Sequence, residues 1–156
     1  MRRLLVGFLT IAGLLAFAAP VSAAKPQITP GEPFEVEIPF PDVCEFSMTA
    51  VVSGRSHSIT FVDASGTTIR GFSGGQLQVT WTRDDTGFSR TFSIAGPTFF
   101  DASGDAVRGT GRWTTPLEGT GWVLANGNLT FDGFQDGFSL ITSYRGHVTS
   151  ICDLMS

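Results

Sequence analysis

The chain has 156 residues, 10 Lys and Arg against 14 Asp and Glu, a formal net charge of −4 and 42% hydrophobic residues. A chain this acidic, whose single lysine is Lys25, neutralises phosphates poorly, so nucleic acid is excluded as the expected partner. Length and apolar content suit one globular domain rather than a disordered segment.

Met1, Arg2 and Arg3 open the chain with positive charge. Residues 4–19 are apolar apart from Thr10, and Val21-Ser22-Ala23 ends the stretch in small residues after Pro20. This is the three-part pattern of a secretory signal peptide over residues 1–23, with an apolar core too short to span a membrane comfortably. The expectation is a secreted, extracellular protein with no membrane span in the mature chain. Residues 24–33 hold Pro26, Pro30, Gly31 and Pro33 and read as an extended, poorly ordered lead-in. Residues 34–156 read as a single β domain.

From there apolar and polar residues alternate with a period of two, the mark of half-buried strands. Residues 46–52 and 57–61 alternate, and Asp63-Ala64-Ser65-Gly66 makes a turn. Residues 67–72 and 76–82 follow, with Leu77, Val79 and Trp81 on one face. A turn at 83–87 leads into 88–94, where Arg90 shares a face with Phe88, Phe92 and Ile94. A second Asp-Ala-Ser-Gly, at 101–104, joins 97–100 to 106–113. Asn126-Gly127, between 122–124 and 129–131, is the strongest hairpin signal in the chain. The last strand runs from Phe138 to about Ile151. No window carries the 3.6-residue period of a helix. Eight or nine short strands in a meander must dispose of their edges, and an all-β barrel of about eight strands does so, with a β-sandwich as the alternative. Cys44 and Cys152 are the only cysteines. In an exported domain they pair most simply with each other, a link worth roughly 4–5 kcal/mol in the loop-entropy description. The bridge ties the first strand region to the last, the neighbour relation that a closed up-and-down barrel requires.

Pro41-Asp42-Val43-Cys44-Glu45-Phe46 and the terminal Thr149-Ser150-Ile151-Cys152-Asp153-Leu154, placed behind a signal peptide, resemble a group of small exported actinobacterial proteins. The resemblance implies a bacterial, exported chain and carries no activity with it.

Gly71-Phe72-Ser73-Gly74-Gly75 fits the Gly-x-Ser-x-Gly nucleophile elbow, but that elbow needs a helix straight after the serine. A strand follows, so these glycines read as turn chemistry. Asp84, Asp85, Asp101, Asp105, Asp132 and Asp136 fall in turns and show no calcium-loop spacing. His57 and His147 show no zinc spacing to the two cysteines. No metal or cofactor is expected. What remains is a mixed interior. The alternation points His57, Arg90 and Tyr144 the same way as Trp81, Trp113 and Trp122, the makeup of a ligand pocket in a small barrel. The expected function is therefore a non-enzymatic barrel that binds a small apolar or aromatic ligand or a surface partner. The alternatives are a small barrel enzyme of the cyclase or isomerase type, using Arg90 or His57, and a structural protein with a filled core.

Overall fold

The computed structural model describes residues 25–135 and 137–156; the expected signal peptide and its cleavage point lie outside the described residues. β1 (Lys25–Pro30) and β2 (Phe34–Phe40) run end to end along one side of β3 (Met48–Val62). On its other side β3 pairs along its full length with β4 (Thr68–Arg83). β4 then receives β5 (Ser89–Ser93) against one half and β6 (Thr98–Phe100) against the other. β7 (Ala106–Leu117), β8 (Gly121–Gln135) and β9 (Phe138–Ser150) complete a nine-stranded sheet, and α1 (Ile151–Met155) closes the chain. The all-β expectation holds.

Several expectations are corrected. The lead-in is partly a strand: residues 25–30 pair with β3. The alternating segment 57–61 and all of 46–52 from Met48 onward belong to one strand, β3, and the glycine segment 71–75 lies inside β4 rather than in a turn. Gly75 is there because the β3 backbone passes too close for a side chain. A Cβ at Gly75 would sit inside the contact distance of the Arg55 carbonyl oxygen and 2.7 Å from Ser56 Cα. Asn126-Gly127 is likewise not a hairpin turn but mid-strand in β8. Gly127 (φ +146°) stands opposite Gly146 (φ +148°) of β9, with the two backbones in close approach. Only glycine takes that conformation without strain. A single turn of helix, α1, also stands where no helix was expected.

The sheet does not close into a barrel. β1 and β2 have no pairing with β9, and the extra closure is local: β7 and β9, both partners of β8, meet once in parallel at Leu117 and Ile141. Instead the sheet folds over on itself. Trp122 of β8 packs against Trp81 of β4 and Phe40 of β2, with ring centroids 5.6 and 4.7 Å apart, although β6 and β7 separate β8 from β4 in the sheet. One core cluster fills this fold, with Phe40, Met48, Ala50, Val79, Trp81, Trp122, Ile151 and Met155 buried. A second, built on Leu117, Val123, Ala125, Leu129, Phe131 and Ile141, lies within β7–β9. The Cys44–Cys152 disulfide, Cα atoms 5.6 Å apart, joins the β2–β3 connection to α1. It ties two segments beyond the strand ends, so it does not require the first and last strands to be neighbours.

Candidate functional site

The inward faces of β2, β3 and β4 line up by register. Ile38, Ala50 and Trp81 form one cross-strand row, and Val36, Val52 and Val79 form the next. β8 brings Trp122 over this surface, and Phe138 at the start of β9 stacks edge-on to Trp122 at 4.8 Å. Between the two layers lies a cavity of about 140 Å³. Its floor is Phe40, Ala50, Val79, Trp81 and Trp122, all buried. Its rim is half-buried: Ile38, Val52, Ile94, Trp113, Thr114 and Phe138. Two polar atoms in this wall are buried with no hydrogen-bond partner, the indole Nε1 of Trp81 and the hydroxyl Oγ1 of Thr114. A buried donor left unpaired costs about 1–3 kcal/mol, so such atoms mark either water or a ligand group.

Trp81, Trp113 and Trp122 all line the cavity, although Trp113 stands opposite Ala125 and also packs on the second core cluster. The fold does not bring His57, Arg90 and Tyr144 to them. Arg90 stands opposite the buried Trp81, and Tyr144 opposite the buried Leu129, yet both are exposed. Their phase is right, but they lie on β5 and β9, edge strands that no further strand covers along these positions. A closed barrel would have covered both. Arg90 reaches toward the ring of Phe88, 5.4 Å away. His57 of β3 is exposed beside Arg55 and Gln76 in a separate open depression.

The inward-facing arginine is Arg83, opposite Met48 at the end of β4. Its guanidinium donates to Asp85 at 2.7 and 3.0 Å and to the Met155 carbonyl at 3.4 Å, and it lies 3.9 Å over the Phe46 ring. The hydrogen bond and charge of Arg83 hold the Asp85 carboxyl below its usual range. Held by these contacts, Arg83 clamps α1 to the sheet rather than serving a ligand.

Two groups of cavity residues escaped the sequence reading. Ile38 and Phe40 carried a signal, since residues 34–38 alternate cleanly. Thr114 carried none, because neighbours in a regular strand point to opposite faces and Trp113 already lines the same space. No protein-family model matches the chain, and comparison with curated proteins and with solved structures also finds no match.

Proposed function

We propose that the protein binds a small, mainly aromatic or apolar molecule carrying one polar group, held in the cavity between the two layers of the folded sheet. The observation that carries this reading is the pair of unpartnered polar atoms, Trp81 Nε1 and Thr114 Oγ1, in an otherwise apolar aromatic wall. The volume of about 140 Å³ is close to the roughly 150 Å³ apolar cavity that accepts a benzene-sized molecule. A few polar groups in an apolar lining is the usual composition of a small-molecule site. Binding is favoured over catalysis because none of the described side chains lining the cavity is ionisable, whereas acid–base chemistry needs a titratable group within hydrogen-bond reach. Export into the medium, read from residues 1–23, is part of the same proposal: the ligand would be met outside the cell.

Phenol and toluene, similar in shape, differ in the one hydroxyl that could meet these atoms. Calorimetric titration should show saturable binding of both, with Thr114→Val weakening phenol about 3–10-fold, the worth of one hydrogen bond, and leaving toluene unchanged. Absence of saturable binding, or equal loss for both compounds, would defeat the proposal.

A further inference from the structure

We infer that the outer face of β3, β4, β6, β7 and β9 is a docking surface for an acidic polysaccharide. In the half of the sheet beyond Gly54 and Gly75 the apolar residues turn outward. The register carries one row across the sheet, from Ile59 of β3 through Phe72 and Phe99 to Arg108. The buried side of the same strands holds Thr98 and Gly109 instead. Phe61, Phe72 and Phe99 form a stripe with ring centroids 6.5 and 6.2 Å apart, belonging to neither core cluster. Arginines cover its two ends: Arg70 lies 4.8 Å over Phe61 and Arg108 5.8 Å over Phe99. Arg108 also donates to Asn128 Oδ1 at 3.1 Å, and Asn128 stands opposite Arg145 of β9.

Arginines outnumber carboxylates on this face, where the acidic strand residue is Asp132 of β8, two residues beyond Thr130, the partner of Arg108. β3, β4, β6, β7 and β9 contain no Asp or Glu at all. Among the described residues the one ion pair is Arg83–Asp85, at the other end of β4. The partner must therefore be anionic, and its form follows from three observations. Arg70, Arg108 and Arg145 sit on β4, β7 and β9, each two strands from the next, so their backbones are spaced by roughly 10 Å. A polymer with sparse carboxylates matches that spacing, and the guanidinium fork suits a carboxylate. Double-stranded DNA, with a charge about every 1.7 Å, would bring far more phosphates than this acidic chain can answer. A lipid bilayer fits poorly too, because the arginines lie over the rings, and burying the rings in hydrocarbon would drag the charges with them. Phe72, between the covered ends, leaves an open ring face for the apolar face of a sugar, beside a groove of about 230 Å³.

Polygalacturonate is the probe, with neutral dextran, a single-stranded oligonucleotide and phosphatidylglycerol vesicles as comparisons. Binding to polygalacturonate should weaken as salt rises. Arg70→Gln and Arg108→Gln should each weaken it about 3–10-fold and flatten its salt dependence by about one unit of slope, the signature of a lost charge contact. Phe72→Ala should weaken binding without changing the slope. These side chains are outside both cores, so unchanged melting temperatures serve as the folding control. No binding to polygalacturonate, equal binding to dextran, tighter binding to the oligonucleotide or vesicles, or an unaltered slope in both arginine variants would each overturn the inference. Phenol binding in the cavity should persist in all three variants, which separates this surface from the proposed ligand site.

Discussion

Asp63 and Asp101 do the same work in two turns of the same four-residue sequence. Asp63 Oδ1 accepts from the Ser65 hydroxyl at 2.6 Å, the Ser65 amide at 2.8 Å and the Thr67 amide at 2.9 Å. Asp101 Oδ1 repeats the pattern with the Ser103 hydroxyl, the Ser103 amide and the Asp105 amide. The serine hydroxyl first, and then these amides, hold both carboxyls below their usual range. A depressed carboxylate contributes stability above its unfolded value of about 3.9 and loses it as pH falls through the folded value. Urea midpoints should therefore drop on acidification below about pH 4. The double variant Asp63→Asn, Asp101→Asn should show a shallower acid limb, and an identical limb would remove these turns from the explanation. At the same scale, Thr114→Val should raise stability by about 1 kcal/mol by removing an unpaired hydroxyl, read from the same denaturation curves.

Among elements, the glycine crossings and the terminal helix decide how long strands become a folded-over sheet. At Gly75 a methyl group would meet the Arg55 carbonyl and Ser56 Cα, both backbone and unable to give way. Gly75→Ala should cost about 3 kcal/mol or more, the upper range of single substitutions. Gly66, in an exposed turn where a Cβ would meet nothing within 4 Å, should lose less on the same change, its cost arising only from φ +86°. α1 has five residues, too few for a helix to persist alone. It is held by buried Ile151 and Met155, by Arg83 on the Met155 carbonyl and by the disulfide. Cys152→Ser should lower stability by roughly 2–5 kcal/mol, and equal midpoints for oxidised and reduced protein would contradict that role.

Across the whole molecule, the two layers meet through aromatic rings. Phe40, Trp81, Trp122 and Phe138 form one cluster whose centroids lie within 6.0 Å wherever they pair. Trp122 touches each of the other three, so Trp122→Ala should destabilise by about 3–5 kcal/mol. It should also abolish phenol binding in whatever fraction stays folded, since the cavity wall goes with it. Charge is divided on the same scale. Glu35 and Glu37 are the acidic residues of β2, and the turns hold most of the rest, while the arginines concentrate on the strands. An overall negative charge thus coexists with five strands, β3, β4, β6, β7 and β9, that carry no carboxylate.

The period-two alternation by itself determined that the chain is all-β, while Trp113, grouped by it with Trp81 and Trp122, stands opposite Ala125 and packs on the second core cluster. The two Asp-Ala-Ser-Gly turns and the single possible cysteine pair were legible for the same reason: each rests on local chemistry or on simple count. Which face of a strand is covered was decided only by the tertiary structure. Alternation sets Arg90 in phase with Trp81 and Tyr144 in phase with Leu129, but burial depends on whether another strand lies beyond, and the open edges leave both in solvent. It likewise groups Ile59 with Phe61 and leaves their outward direction unstated. Glycines at 75, 127 and 146 have two local meanings, a turn or a close crossing of backbones. The choice is made by the neighbouring strand that comes to lie against them, for Gly75 the Arg55 and Ser56 backbone of β3.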